Sequence, residues 1–354
     1  MPSSTTSIKR QTRLATGANA VFAGIDYHKK FSVITLGDAD GKVLEQIKLP
    51  NEEKKLRQFF LRHAQVVCAI ESCRGYEWYL KLLADLGLTV HVANTYAVRL
   101  IADSRCKTDK IDSRILMELL AKGFLPTCYQ PTQAERQLRE RLKWRVSIVR
   151  SRTKYKNKAH AVMDKENKPG NLDSRKARRI AKHRDDQLSL PRQYLLDQNI
   201  DVVEYFDRKV KAEDAWIEEV AANSPDAQRL KSIPGIGDMA ALMLIAEFGD
   251  VSRFKKAKNA SAYLGLVPRV YATSDTRRIG RITKTGSGIL RWLLVQDAWG
   301  AIRTCSAFRI RYNRIMKRRG KHIAIVAIAR MLAEIAYRVL RDQTSFDETK
   351  LALG

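Results

Sequence analysis

The first third of the chain alternates short apolar runs with turn-forming residues and amphipathic segments. Strand-length apolar runs occupy residues 21–27, 31–37 and 43–49, and Gly37-Asp-Ala-Asp-Gly41 predicts a hairpin between the last two. Three antiparallel strands followed by alternating helices and strands are the order of an α/β RNase H-like domain. The later elements are predicted as helices over 52–63, 75–86, 95–103 and 109–122 and strands over 66–71 and 88–93.

The pattern changes after Pro131, where leucine and valine recur at helical spacing and glycine nearly disappears. A long basic helix is predicted over 134–165, and Asn167-Lys-Pro-Gly-Asn171 ends it. This segment is typical either of a coiled coil between copies of the chain or of a solvated helical arm. The patterns predict four regions: a flexible tail (1–19), the α/β domain (20–128), a helical, coiled-coil segment (129–229) and a mostly α C-terminal domain (230–354).

Composition adds a strong positive charge to this picture. The chain has 65 Lys and Arg against 38 Asp and Glu, a formal net charge of +27 and an isoelectric point near 10.0. Such a balance favours a polyanionic partner, and nucleic acid is the first candidate. No apolar run reaches the ~18 residues of a membrane span, the first residues lack an apolar signal core, and no cysteine pair has CxxC or zinc spacing. We therefore expect a cytoplasmic protein with reduced thiols and no membrane partner.

Four carboxylates in the α/β domain are the strongest candidates for catalysis. Asp26 and Glu71 each end an apolar run that predicts a buried strand. Asp109 and Asp112 lie three apart at the start of a predicted helix, so they share one of its faces; taken alone, this pair also fits charges favoured at a helix N-terminus. Four acids at one end of a sheet would repel one another. Mg²⁺, or Mn²⁺ as the alternative, would remove that penalty and activate a water or hydroxyl against a phosphodiester.

Two further segments carry candidate phosphate contacts. Arg105 and Lys107 flank the second acidic pair and fit either a phosphate or salt-bridge partners. Ile233-Pro-Gly-Ile-Gly237 precedes an apolar helix and matches a helix-hairpin-helix turn. In such a turn Gly235 and Gly237 would let backbone N–H groups approach a phosphate of duplex DNA without reading its sequence. The alternative is a glycine-rich turn that packs tightly against its neighbours.

A hydroxyl pair, Thr273 and Ser274, lies in a predicted loop of the C-terminal domain. Such a pair in a strongly basic field could serve as a nucleophile, because the field would stabilise phosphate charge and lower the pKa of a hydroxyl. A polar loop on a DNA-binding face explains the same residues, and chemistry alone does not choose between the two. The basic residues around the pair are Arg269, Arg277, Arg278, Arg281, Lys284 and Arg291.

Three separated blocks resemble one family, the IS110/IS1111-type transposases with a DEDD catalytic set. The resemblance implies a RuvC-like domain whose four carboxylates bind magnesium, a coiled-coil segment, and a C-terminal domain carrying a serine nucleophile. It also implies recombination of donor and target double-stranded DNA, guided by a structured non-coding (bridge) RNA, in a homo-oligomer (a dimer or tetramer) associated with the bacterial nucleoid. The matching motifs are Gly24-Ile-Asp26, Ala69-Ile-Glu71, Lys107-Thr-Asp109-Lys-Ile-Asp112, Leu264-Gly-Leu-Val-Pro268, Gly280-Arg-Ile-Thr-Lys284-Thr-Gly286 and Leu290-Arg291.

The candidate nucleophile departs from the family pattern. Counted back from Gly280, the family's serine falls on Thr273, and Ser274 is its neighbour. A threonine hydroxyl is a competent nucleophile but is more crowded at Cβ, so either Thr273 acts or a one-residue shift brings in Ser274. Two other functions stay open: a RuvC-like nuclease that resolves four-way (Holliday) junctions by metal-dependent hydrolysis, and an RNA- and DNA-binding scaffold.

Overall fold

The structure is a computed structural model that describes residues 20–101, 109–168, 170–182, 188–272 and 277–349, with the backbone alone at 109–111, 271–272 and 277. The chain divides into two units, Met1–Gln130 and Pro131–Gly354. Within the described ranges, no helix is both long and apolar enough to span a membrane.

The N-terminal unit contains, in its described part, a mixed sheet of five strands. The strands are β1 Phe22–Tyr27, β2 Phe31–Gly37, β3 Val43–Pro50, β4 Val67–Glu71 and β5 Thr89–Ala93. Their order is β3-β2-β1-β4-β5, with β1 to β3 antiparallel and β4 and β5 parallel to β1. Because each apolar run is bounded by turn chemistry, pattern and structure agree within one or two residues. The predicted α/β arrangement is confirmed.

Helices pack on this sheet: α1 Glu53–Leu61, α2 Glu77–Asp85, α3 Thr95–Ile101 and α4 Asp109–Ala121. Side chains alternate along β1, so Ile25 enters one hydrophobic core with Phe60 of α1. Phe22 enters a second core with Met117 of α4. Because both of its faces are buried, β1 is a rigid element on which a site can be built.

Gly24 lets α4 lie directly on the backbone of β1. A Cβ atom at this position would stand 1.9 Å from the Ser113 carbonyl oxygen and 2.5 Å from the Met117 nitrogen. Alongside, the Ser113 and Thr35 hydroxyls share a buried hydrogen bond of 2.8 Å. These contacts fix where along the strand the helix lies, and therefore where its N-terminus falls.

Three helices of the C-terminal unit form a projection that we call the arm: α5 Gln133–Asp164, α6 Arg175–Lys182 and α7 Leu190–Ala222. A capping box between Thr132 and Glu135 starts α5, and Pro191 lies in the first turn of α7. α5 and α7 pack along each other. Ion pairs connect the arm helices and the segments between them: Arg141–Glu213, Arg145–Asp214, Arg152–Asp207, Lys156–Asp173, Arg178–Asp207, Lys182–Asp201 and Arg192–Glu166.

The rest of this unit is mostly helical, as predicted, and its core continues into the arm. Its elements are α8 Pro225–Lys231, α9 Asp238–Phe248, α10 Ala257–Tyr263, β6 Pro268–Ala272, β7 Arg277–Ile282, α11 Gly288–Thr304, α12 Ser306–Arg319 and α13 Lys321–Asp342. Leu142 of α5 and Ile217 of α7 belong to the same core as the buried face of α13. The base of the arm is thus part of this core, whereas the predicted boundary at residue 229 separates the two.

β6 and β7 form an antiparallel hairpin that the sequence pattern did not predict. Val270 pairs with Ile279, and both side chains are exposed, at 51% and 59%. Because these two paired positions are exposed, the segment lacks the alternation of buried and exposed residues by which strands are recognised, and the sequence pattern does not predict strands here.

Candidate active site

Asp26 and Glu71 lie next to each other on neighbouring parallel strands. Ile25 of β1 is level with Ile70 of β4, and each is followed by its carboxylate. Adjacent strands are about 4.8 Å apart. By alternation the two acids lie on the same side of the sheet as Gly24 and Ala69, the side that α4 covers. The Asp26 side chain is only 16% exposed, so its charge is partly removed from water.

The N-terminus of α4 comes to the same end of the sheet. Met117 packs against Gly37 of β2, which pairs with Phe22 at the start of β1, and Ser113 packs against Gly24, further along β1. The helix therefore approaches Asp26 as it is followed back to its first residue, Asp109. Asp112 is half-buried. It lies one turn before Leu116, which shares a core with Ala69 of β4. Three elements thus direct acidic positions toward one edge of the sheet.

The donor set is chemically suited to a hard divalent cation. Carboxylate oxygens are the preferred protein ligands of Mg²⁺ and Mn²⁺. Among the residues whose side chains are described, no three His, Cys, Asp or Glu side chains form a group that could hold a metal ion by themselves. The side chain of Asp109 lies outside the described residues. The structure therefore brings Asp26 beside Glu71 and places the start of α4 near them, and it does not describe the complete set of four.

His28 is a neighbour of the site that the sequence pattern did not single out. Its Nε2 lies 3.0 Å from Asp26 Oδ2, and its ring stacks on Phe31 with centroids 4.6 Å apart. Asn51 Nδ2 donates to the His28 carbonyl at 2.5 Å, and Asn51 Oδ1 accepts from the Ser32 hydroxyl at 2.6 Å. This chain of contacts holds one oxygen of Asp26 in place. In the sequence, the only sign of this role is that His28 lies two residues after Asp26.

Cys73 lies close to both Asp26 and Glu71. Burial raises the pKa of the Cys73 thiol, and the negative charges of Glu71 and Asp26 raise that pKa further. Its Sγ lies 4.0 Å from the carbonyl oxygen of Tyr27. The thiol is therefore kept in its neutral form, and the two acids are close enough for their fields to add.

The glycine-rich turn between α8 and α9 has two different glycines. Gly235 has φ of +87°, and a Cβ there would stand 2.3 Å from the Asp297 carbonyl oxygen and 2.6 Å from the Ala301 nitrogen of α11. Tight packing, the alternative considered for this turn, accounts for Gly235. Gly237, which precedes the first residue of α9, would meet nothing within 4 Å. The turn is therefore open at Gly237 and closely packed at Gly235.

The candidate hydroxyls Thr273 and Ser274 lie outside the described residues, as do Arg105 and Lys107. Around the hairpin, the side chain of Arg277 is likewise not described. Four predicted basic contacts are exposed: Arg269, Arg278, Arg281 and Lys284.

Two basic residues after the hairpin have unusual surroundings. Lys284 has a left-handed backbone, with φ of +58°, and donates its N–H to the Gly265 carbonyl at 3.2 Å. A non-glycine residue in this conformation costs about 1–2 kcal/mol and often marks a functional site. Arg291 donates to the carbonyls of Leu264, at 3.1 Å, and Thr285, and burial lowers its pKa. Its guanidinium group thus connects the backbone at Leu264 to the backbone at Thr285.

Comparison with known proteins gives the family. Residues 23–167 match the family DEDD_Tnp_IS110, described as "Transposase", and residues 227–313 match the "Transposase IS116/IS110/IS902 family". A transposase for insertion sequence element IS1328 of Yersinia enterocolitica is 26% identical over 340 residues, which are 93% of this chain and 99% of that protein.

Two further relatives have similar coverage. A transposase for insertion sequence element IS1111A of Coxiella burnetii is 25% identical over 294 residues, 80% of each chain. A probable family 20 transposase of Pseudomonas aeruginosa is 25% identical over 307 residues, 82% of this chain and 89% of that protein.

A sheet that bears acidic residues at its strand ends, followed by a basic helical unit, is consistent with an enzyme that recombines DNA, and both family matches are to DNA transposases. The chain belongs to the IS110/IS1111 family of insertion-sequence transposases.

Proposed function

We propose that this transposase moves its insertion sequence by cutting and rejoining DNA through a covalent protein–DNA intermediate. The observation that carries the proposal is the placement of Asp26 and Glu71 directly after the paired residues Ile25 and Ile70 on adjacent strands, at the end of the sheet where α4 begins. A hydroxyl nucleophile and a set of acids divide the work: the hydroxyl exchanges the bond, and the acids manage charge and protons at the phosphodiester.

The carboxylates Asp26, Glu71, Asp109 and Asp112 would hold Mg²⁺, with Mn²⁺ as a substitute. Their all-oxygen donor chemistry fits such an ion. A bound divalent ion would stabilise negative charge on the reacting phosphate. His28, through its 3.0 Å contact with Asp26, orients one of the four acids. Partial burial of Asp26 makes its charge more effective than it would be in water.

The nucleophile is the hydroxyl of Thr273 or Ser274. Its oxygen gives up its proton, attacks phosphorus and forms a new bond to it, while the bond from phosphorus to the leaving deoxyribose oxygen breaks and that oxygen receives a proton. Attack by a hydroxyl of a second DNA end reverses these steps, rejoins the strands and frees the enzyme. No water is consumed, so no free ends accumulate. Arg278, Arg281 and Lys284 are exposed, follow these hydroxyls closely in the sequence and would neutralise the phosphate.

The enzyme would act together with nucleic acids and with further copies of the chain. The net charge of +27 suits a complex with donor DNA, target DNA and a structured guide RNA, in which base pairing specifies the target and the protein reads shape and backbone. The open turn at Gly237 would contact a phosphate in helix-hairpin-helix manner. The arm would join copies of the chain into a dimer or tetramer.

RNA guidance is tested by altering the target-pairing segment of the non-coding RNA, which should redirect insertion to the new complement.

The central experiment uses a DNA duplex with a nick beside the cleavage site, which traps a covalent intermediate. We expect a protein–DNA adduct that maps to Thr273 or Ser274, with Thr273→Ala and Ser274→Ala measured separately and together. Loss of the adduct in one single variant identifies the nucleophile. Hydrolysed ends with no adduct would indicate a junction nuclease, and absence of cleavage in magnesium or manganese would indicate a binding scaffold; either result overturns the proposal.

A further inference from the structure

One helix of the C-terminal unit, α12, carries a run of positively charged residues. From Ala298 to Ala333 the sequence has nine Lys or Arg and no Asp or Glu. Most of these residues lie on or next to α12. The helix follows the candidate site in sequence but includes none of its residues.

The charge on α12 is directed away from the protein core. Phe308 and Tyr312 are buried and attach the helix to the core. At 100° per residue, Arg314 and Lys317 lie on the opposite side, with Arg318 on its flank. All three are exposed. We call Arg314, Lys317 and Arg318 the α12 face.

The α12 face has no internal partner among the described residues. No ion pair or side-chain hydrogen bond involves Arg314, Lys317 or Arg318 in the described part of the chain. Arg309, earlier on the helix, differs because it donates to the carbonyls of Ile302 and Arg303 at the end of α11. The arm provides the contrast, since four of its cations are paired with acids 17 to 72 residues away in the sequence: Arg141, Arg145, Arg152 and Lys156.

Folding alone does not account for this arrangement. Cations in the last turn of a helix complement its dipole by about 0.3–1 kcal/mol, which applies to Lys317 and Arg318. However, Arg314 lies one turn earlier and faces Arg318 at i+4, and like charges at that spacing destabilise a helix by about 0.2–0.5 kcal/mol. An external polyanion would convert the repulsion into binding energy.

We propose that the α12 face binds the phosphate backbone of duplex DNA without reading its sequence. DNA is the polyanion on which this class of enzyme acts. From Arg314 to Arg318 the helix rises about 6 Å, and the phosphates of one strand advance about 3.4 Å each along the duplex axis. The face therefore matches two or three phosphates. The inference extends the proposed function but does not depend on the covalent chemistry, because it concerns binding alone.

The test measures binding of the full-length protein to a duplex of arbitrary sequence, over a series of salt concentrations and with EDTA present so that no cleavage occurs. The variant is Arg314→Gln/Lys317→Gln/Arg318→Gln. The matched control is Arg145→Gln/Arg152→Gln/Lys156→Gln, which removes two arginines and one lysine from ion pairs in the arm. Both lower the net charge equally. Circular dichroism and thermal melting check that each variant is folded.

The α12 variant should reduce the slope of log K against log salt by about 2–3 and weaken binding about 10- to 100-fold near 0.15 M salt. The control should change the slope by less than about 1. Arg314→Lys/Lys317→Arg/Arg318→Lys should retain the wild-type slope. Equal losses in the α12 variant and the control would overturn the proposal. A loss of affinity for an RNA hairpin of the same charge, with duplex DNA unaffected, would overturn the assignment to DNA.

Discussion

The arm and α12 are both rich in lysine and arginine, yet their side chains find different partners. In the arm, Arg145 contacts Asp214 at 2.8 Å and Arg152 contacts Asp207 at 2.9 Å, so positive charge is balanced by acids of α7. On α12, Arg314 and Lys317 have no such acid among the described residues. Opposite charges that pair internally serve the fold, whereas like charges left together indicate a ligand of the other sign.

The acidic end of the N-terminal sheet is the counterpart of α12 with the opposite sign. Asp26 and Glu71 lie side by side although their charges repel, and a cation would relieve that repulsion as a phosphate would on α12. Substitutions in the like-charge regions should therefore reduce function and spare stability, whereas substitutions in the arm should reduce stability and spare function.

The largest expected effect is on strand cleavage. Asp26→Ala or Glu71→Ala should reduce cleavage at least about 10³-fold, equivalent to ~4 kcal/mol of transition-state stabilisation, and leave DNA affinity within about twofold. A gel-based cleavage assay with paired binding measurements checks this. Asp164→Ala, which removes an exposed acid at the end of α5, is the control and should cut normally. Undiminished cleavage by either site variant would contradict the assignment of these acids.

The second effect is a pH dependence of stability that arises from the buried carboxyl group of Asp297. No hydrogen bond reaches Asp297 Oδ2 from the described residues, and burial raises the pKa of this carboxyl from 3.8 to about 7. The folded state thus holds a proton that the unfolded state releases. The contribution of Asp297 to the free energy of unfolding should therefore be most favourable below pH 4, fall as the pH rises to about 7, and level off above it.

Asp297→Asn removes that pH dependence. Relative to the wild type, the variant should gain stability with rising pH, by up to on the order of 4 kcal/mol at pH 8. Chemical denaturation at pH 5 and pH 8 checks this, with Asp164→Asn as the exposed control. A stability difference between variant and wild type that is the same at both pH values would show that Asp297 is ionised throughout.

The third effect tests the arm. Asp207 accepts from both Arg152 and the buried Arg178, so Asp207→Asn should lower the free energy of unfolding by about 2 kcal/mol, a value reduced from that of a fully buried pair because Asp207 is partly exposed. The salt dependence of DNA binding should not change. Asp214→Asn, at a more exposed pair with Arg145, should cost less than about 1 kcal/mol. A larger loss of stability in Asp214→Asn than in Asp207→Asn would contradict the expectation that the less exposed ion pairs stabilise the arm more.

The smallest effect is on the stability of α12. Arg314→Gln/Lys317→Gln/Arg318→Gln should change the free energy of unfolding by only a few tenths of a kcal/mol, with repulsion relieved and dipole interaction lost in similar amounts. Denaturant titration of free protein measures it. Destabilisation by more than about 1 kcal/mol would mean that the helix uses these cations internally.

The sequence predicted the N-terminal unit well and the C-terminal unit less completely, for identifiable reasons. Strands such as β1 and β4 are bounded by turns and carry apolar runs, so local pattern was sufficient. Exposed Val270 and Ile279 gave no such signal, and β6 and β7 were missed. Non-local facts were out of reach: the role of Gly235 depends on α11, more than 60 residues away. The acids could be assigned because strand ends are predictable, whereas His28 required coordinates.

The contact at Gly24 has a consequence for how this enzyme family can vary. Strand and helix touch there backbone to backbone, so no side chain lies between them that could be exchanged to adjust their offset. The spacing between acids borne by β1 and those borne by α4 is therefore set by a position that has no functional group. Mutational scanning should find position 24 as intolerant of substitution as the acids themselves. Even Gly24→Ala should shift the helix and abolish transposition.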